Sequence, residues 1–170
     1  MTASELVDIV DADDRIIGQA TRAEMRAGKL RHRATYILVF NTPGQLFVHR
    51  RTATKDVYPS YYDVAVGGVV AAGESYDVGA RRELAEEVGI TAVRPRPILS
   101  FQFDDGDCPV NGRVYSCTYD GALVLQEAEI AGGEWLDLDV VFERVRQQPF
   151  CPDGIDALLR YLDRLASVRR

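Results

Sequence analysis

Between Ser75 and Ile90 the apolar positions Ala80, Leu84 and Val88 recur every fourth residue among polar neighbours. That is the period of a helix with one buried stripe. Ser75 suits an N-cap, Asp77 puts a carboxylate in the first turn, and Gly89 stands where a left-handed closing residue belongs. Elsewhere the pattern shifts to short β-branched and aromatic runs, which predict strands over 6–10, 15–20, 34–40, 45–51, 98–103 and 134–136, with 63–66 leading toward the helix. Residues 110–125 hold one long or two short strands around Gly121. Further helices are expected at 22–27, capped by Thr21 and stopped by Gly28, at 140–146, and at 155–167 with Asp153 as a candidate cap. Turn residues punctuate 12–14, 41–44 and 104–107; Pro95 and Pro97 break the chain, and Gly132-Gly133 precedes the strand at 134. Strands interleaved with helices define an α/β chain, read as one domain over residues 1–170 with no repeat or linker.

The central helix carries an unusual charge pattern. At 100° per residue Glu83, Glu86 and Glu87 fall on one arc beside the apolar stripe, with Gly79 on the same arc one turn earlier. Like charges at i,i+4 cost a bare helix about 0.2–0.5 kcal/mol per pair. A hard cation reverses that sign, and Mg²⁺ takes oxygen ligands that are commonly completed by substrate phosphates. Arg82, beside Glu83 and four residues before Glu86, can brace the carboxylates, and Glu74 can reach back to the same arc. Gly67-Gly68 and Gly73 permit tight turns and close approach of a ligand to the backbone.

Charge and cysteine content narrow the partners. The chain carries −6, which argues against a general nucleic-acid coat and a stable nucleic-acid partner. Its distribution is uneven: residues 22–55 hold eight basic side chains and one acid, hence +7, leaving −13 on the remainder. A basic flank beside a carboxylate helix suits a polyphosphate held by metal and cations together. Cys108, Cys117 and Cys151 show no zinc spacing and suit reduced thiols of a cytoplasmic protein. No signal peptide or long apolar run is present, so no membrane partner is expected. Monomer and homodimer both stay open.

Gly68, Glu74, Arg82, Glu83, Leu84, Glu86, Glu87, Gly89 and Ile90 match every fixed position of the Nudix box, GX5EX7REUXEEXGU with U aliphatic. The chain therefore resembles the Nudix hydrolase superfamily, which implies an α/β/α sandwich with a mixed sheet and a metal-dependent hydrolase of diphosphate linkages. Residues 5–140, notably LRHRATY and RRTATKDVYPSYYDVAVGG, are similar to bacterial Nudix hydrolases close to isopentenyl diphosphate isomerase. In that isomerase a Cys-Gly-His segment lies just before the Gly-Glu of the box; here Gly67-Gly68-Val69 stands there, so the required thiol and histidine are missing. Arg51 and Lys55 match positions that hold the diphosphate in the isomerase, and His32 matches a metal-ligand position.

The resemblance implies hydrolysis of a nucleoside diphosphate linked to another group X by in-line water attack. Glu83, Glu86 and Glu87 are the expected ligands of Mg²⁺, with Mn²⁺ as an alternative, and Arg82 their orienting partner. Arg51, Lys55 and Gly68 are the expected substrate contacts. The general base is Glu87 or an acid outside the box, where Glu129 and Glu134 are the candidates. Tyr58, Tyr61, Tyr62, Phe101, Phe103 and Tyr115 are the aromatics available to stack on a base. A second class of function is a module that binds a phosphorylated metabolite without turnover; the intact acid set argues against it.

Overall fold

A computed structural model of the protein describes residues 4–168; residues 1–3 and 169–170 of the expected domain lie outside them. Strand β3 (His32–Phe40) runs through the middle of an eight-stranded mixed sheet. It pairs in parallel along its full length with β7 (Val110–Thr118) and more briefly with antiparallel β1 (Leu6–Val10) and β4 (Leu46–Arg51). Strand β2 (Ile16–Thr21) flanks β1; β5 (Tyr62–Asp63) and β8 (Ile130–Leu136) flank β4; β6 (Arg96–Phe103) flanks β7.

Alternation along β3 builds two cores. Ala34, Tyr36 and Leu38 face one way, against Val141 of α3 (Leu138–Val145) and Ala157, Leu158 and Tyr161 of α4 (Pro152–Val168). Ile37 and Val39 face the other way, against Ala80, Leu84 and Val88 of α2 (Tyr76–Val88). The result is the α/β/α sandwich expected from the sequence, with the acid-bearing helix on one face. The short helix α1 (Arg22–Ala27) begins with a complete capping box of Thr21 and Glu24. Among the described residues no helix is long and apolar enough to cross a membrane.

Four local expectations are corrected. Pro97 lies inside β6 instead of breaking it, because among the described residues β6 pairs only with β7 and a register shift between Pro97 and Leu99 absorbs the missing donor. Gly132 and Gly133 lie within β8, where Phe47 of β4 packs into the space a Gly133 side chain would fill. Strand β7 ends at Thr118, leaving residues 119–129 without a strand. Asp153 does not cap α4: the helix starts at Pro152, and the Asp153 carboxylate accepts from the Tyr36 hydroxyl at 2.9 Å.

His49 of β4, which carried no reading in the sequence, is buried with its ring stacked on Phe47, and among the described residues its Nδ1 has no hydrogen-bond partner. Burial, reinforced by Arg51 and Lys55, lowers its pKa to about 3. The folded protein therefore binds this proton less readily than the unfolded chain, whose histidine titrates near 6.5. Stability from a neutral His49 is fully present above about pH 6.5 and is lost as pH falls toward 3. His49→Met should match the wild type at pH 7.5. Below about pH 6.5 the difference in unfolding free energy should grow in its favour by about 1.4 kcal/mol per pH unit. Urea unfolding of both proteins from pH 7.5 to 5 measures this, and parallel pH profiles would show that His49 finds a partner for its proton.

Candidate active site

Burial of Ala80, Leu84 and Val88 fixes the rotation of α2 about its axis. That rotation splits the three acids. The side chains of Glu83 and Glu87 are 9% and 4% exposed, whereas Glu86, at the solvent edge, is 47% exposed. Both inner acids meet the segment Val66–Val70, which is held against β3 by Thr35 N to Gly68 O at 2.9 Å and Ile37 N to Val66 O at 2.7 Å. Gly67 N donates to Glu87 Oε2 at 3.1 Å. Gly67 has φ +145°, and a Cβ there would lie 2.1 Å from the Thr35 carbonyl oxygen, so only glycine fits. A Cβ on Gly68 would lie 2.9 Å from Glu83 Oε1; its absence leaves this face of the Glu83 carboxylate open.

Arg82 ties the acids together. Its guanidinium donates to Glu74 at 3.0 and 2.9 Å, to Glu83 at 2.7 Å, to Glu86 at 3.2 Å and to the Val69 carbonyl at 3.2 Å. Glu74 also accepts from Ala71 N, so it serves as an anchor for Arg82 and for the loop. A second cation reaches the acids from another segment. The Lys55 ammonium donates to Glu129 and lies 3.9 Å from Glu87 Oε1. Thr52 N donates to Glu129 O and the Thr52 hydroxyl to Ala128 O, which pins the turn bearing Lys55 to the turn bearing Glu129.

The carboxylates differ in their affinity for protons. Burial, aided by the charge of Glu83, holds Glu87 well above the ordinary carboxylate range, and Lys55 opposes this only in part. Burial also raises Glu83, against the pull of Arg82. Glu129 goes the other way: burial pushes it up, but the hydrogen bond and charge of Lys55 outweigh that and hold it low.

Arg51, Lys55, Gly67, Gly68, Glu83 and Glu129 line one cleft. Glu86 and Glu87 do not line it; Glu87 lies against Gly67 and Lys55. Glu134, the other outside acid, is on the surface of β8 in an ion pair with Arg144. His32 is buried, with Nδ1 2.9 Å from the Leu30 carbonyl oxygen and Nε2 3.5 Å from Arg26; its pKa falls to about 4, chiefly through burial. Of the aromatics, Tyr58 lines the cleft and donates to Asp105, whereas Tyr115 is fully buried beneath α2.

The basic flank is not a free cationic surface. Arg22 and Arg26 share Asp56, Lys29 meets Asp107, Arg31 meets Asp104, and Arg33 meets Asp14. Acids spread through the rest of the chain fold back onto it. Arg51 is turned inward, donating to Val57 O at 3.2 and 3.0 Å and lying 3.9 Å from Asp63. Around it the cleft holds residues that sequence reasoning missed: Asp63, Asp153, Tyr36 and Cys151. Burial and the nearby Asp153 raise Asp63 to about 6, with Arg51 pulling the other way. No motif marks these residues, because they come from β3, β5 and the chain at and just before the start of α4 and meet only when the sheet forms.

An α/β/α sandwich whose Gly-rich segment packs on an acidic helix is the frame of the site. Residues 30–154 match the NUDIX domain, and the chain belongs to that family. It is 42% identical over 166 residues to the uncharacterized Nudix hydrolase YfcD of Shigella flexneri, covering 98% of this chain and 91% of that protein. It is 43% identical to the uncharacterized Nudix hydrolase PA4841 of Pseudomonas aeruginosa, covering 94% and 95%. Among solved structures, DR0079 from Deinococcus radiodurans superimposes with a TM-score of 0.81 at 30% identity, covering 92% of this chain and 98% of that one. The protein is a Nudix hydrolase acting on pyrophosphate bonds.

Enzymes of this family use divalent metal ions. Among the described residues no three His, Cys, Asp or Glu side chains stand ready-arranged around a metal position. The donor chemistry nevertheless fits. Glu83 and Glu87 lie buried on one helix against Gly67-Gly68, and burial raises both above the ordinary carboxylate range against the pull of Arg82 and Lys55, a cost that a bound cation would offset. They offer hard oxygen donors, which a divalent cation of the Mg²⁺ type prefers.

Proposed function

We propose that the protein hydrolyses the diphosphate linkage of a nucleoside diphosphate joined to a group X, using Mg²⁺ held by Glu83, Glu86 and Glu87. One observation carries this reading. Glu83, Glu87 and Glu129, from α2 and from a turn some forty residues later, converge with Lys55 beside the Gly67-Gly68 backbone. When bound, the metal supplies charge neutralisation at the diphosphate oxygens and makes the attacking water more acidic.

The residues of the chain divide the remaining work. Glu129 is the general base, because it lines the cleft, is 23% exposed at its side chain and has its pKa held low by the hydrogen bond and charge of Lys55, whereas Glu87 is buried and does not line the cleft. It accepts the proton of the attacking water as the new oxygen–phosphorus bond forms. The oxygen that bridges the two phosphorus atoms leaves with the electrons of the broken bond. Arg82 fixes Glu83 and Glu86 in place through its shared guanidinium. Gly68 lets the diphosphate approach the backbone, and Arg51 and Lys55 provide the positive charge facing its far phosphate.

A screen of nucleotides and nucleoside diphosphate conjugates, run with purified protein and MgCl₂ and read by chromatography of the nucleoside monophosphate and X-phosphate formed, tests the reading. The expected result is cleavage within the diphosphate that stops on chelation of the metal. Saturable binding of the same compounds without product would overturn it in favour of a sensing module.

A further inference from the structure

The Lys55 ammonium rests on two acids. Its side chain is 12% exposed, and its ammonium lies between Glu129, to which it donates, and Glu87, 3.9 Å away. Resting on the metal-site reading above, we infer that Lys55 is the resident cation of the site: it neutralises Glu87 and Glu129 while no metal is bound, and moves to a substrate phosphate when a divalent cation takes over Glu87.

Three features point this way. First, Lys55 and the metal draw on the same carboxylate, and two cations competing for one buried oxygen repel each other strongly where little water screens them. Second, the movement needs only the stem. The turn is pinned by Lys55 N to Thr52 O, Thr52 N to Glu129 O and the Thr52 hydroxyl to Ala128 O. The lysine stem is flexible and its ammonium has three donors without a fixed plane. Lys55 also stands in the wall between the catalytic cleft and a neighbouring one lined by Arg22, Thr54 and Asp56, so there is space on either side of it. Third, the cation that braces Glu83 and Glu86 cannot play this part. Arg82 is fixed by Glu74, Glu83, Glu86 and the Val69 carbonyl at once.

Metal and Lys55 are then antagonists before substrate arrives, and metal and phosphate become partners after it, as binding linkage requires. Free metal binds weakly, and a metal-bearing diphosphate binds well because it brings an acceptor for the displaced ammonium.

The test is titration of Mn²⁺ and Mg²⁺ into nucleotide-free protein by calorimetry and thermal shift, for wild type, Lys55→Met, Lys55→Gln and Lys55→Arg. Lys55→Met and Lys55→Gln should bind metal about tenfold more tightly than wild type and gain more melting temperature from it. Lys55→Arg should stay within twofold. With saturating metal, imidodiphosphate should bind Lys55→Met about tenfold more weakly than wild type. Equal or weaker metal binding by both neutral variants, with wild type binding normally, would overturn the inference and leave the metal site standing. No metal binding by any of the four proteins would overturn both.

Discussion

Glu87→Gln is expected to abolish metal-dependent hydrolysis, lowering kcat/KM by at least about a thousandfold while the fold survives. Glu87 is buried against the cleft wall, contacted by Gly67 N and faced by Lys55 and Glu83. Glutamine keeps the shape and an oxygen for Gly67 N but removes the charge a hard cation needs. Because burial already drives Glu87 toward its protonated form, the neutral amide relieves a crowded acidic site. The melting temperature should therefore hold level or rise slightly. Steady-state kinetics and a thermal melt, run on one preparation, give both readings. Turnover near the wild-type rate would remove Glu87 from the chemistry altogether.

Arg51→Ala should damage both stability and catalysis. The guanidinium holds the 52–61 loop through Val57 O and lies beside the buried pair Asp63 and Asp153. Its loss leaves two buried carboxyls without their cation. Since one of them can retain a proton, the cost should be about 2 kcal/mol, below the roughly 3–5 kcal/mol of a fully stranded charge. For a chain of this size that is a fall in Tm of roughly 4–8 °C. If Arg51 also faces the far phosphate, kcat/KM falls by about 10- to 100-fold, the scale of one charge-assisted contact. That loss should appear mainly in KM if ground and transition states share the contact. Arg51→Lys should recover stability better than activity, because the planar fork is gone. A lowered Tm with kcat/KM within twofold of wild type would make Arg51 purely a support for the cleft wall.

Much of the site was legible because the relevant physics is local. The spacing of Ala80, Leu84 and Val88 sets which face of α2 is buried, and a fixed helical period then dictates where Glu83 and Glu87 must point. Ser75 and Gly89 mark its ends through caps that involve only adjacent residues. Boundaries were less legible where pairing decides them. Pro97 belongs to a strand only because β6 has one neighbour, and Gly133 only because Phe47 fills its place.

The linear pattern could show that a basic stretch and an acidic helix coexist, but not which charge meets which. Coulomb energy depends on distance and on exclusion of water, and both are set by tertiary packing. The fold brings Asp56, Asp104, Asp107 and Asp14 onto the basic flank, turns Arg51 toward Asp63, and places Lys55 on Glu129. The sequence by itself therefore determined the helix, its carboxylates and the layered α/β architecture, since these follow from periodicity and capping over a few residues. Only the tertiary structure decided that Glu86 stays in solvent, that Glu129 joins the site while Glu134 does not, and that Asp63 and Asp153 share its cleft, because each depends on contacts between segments far apart in the chain.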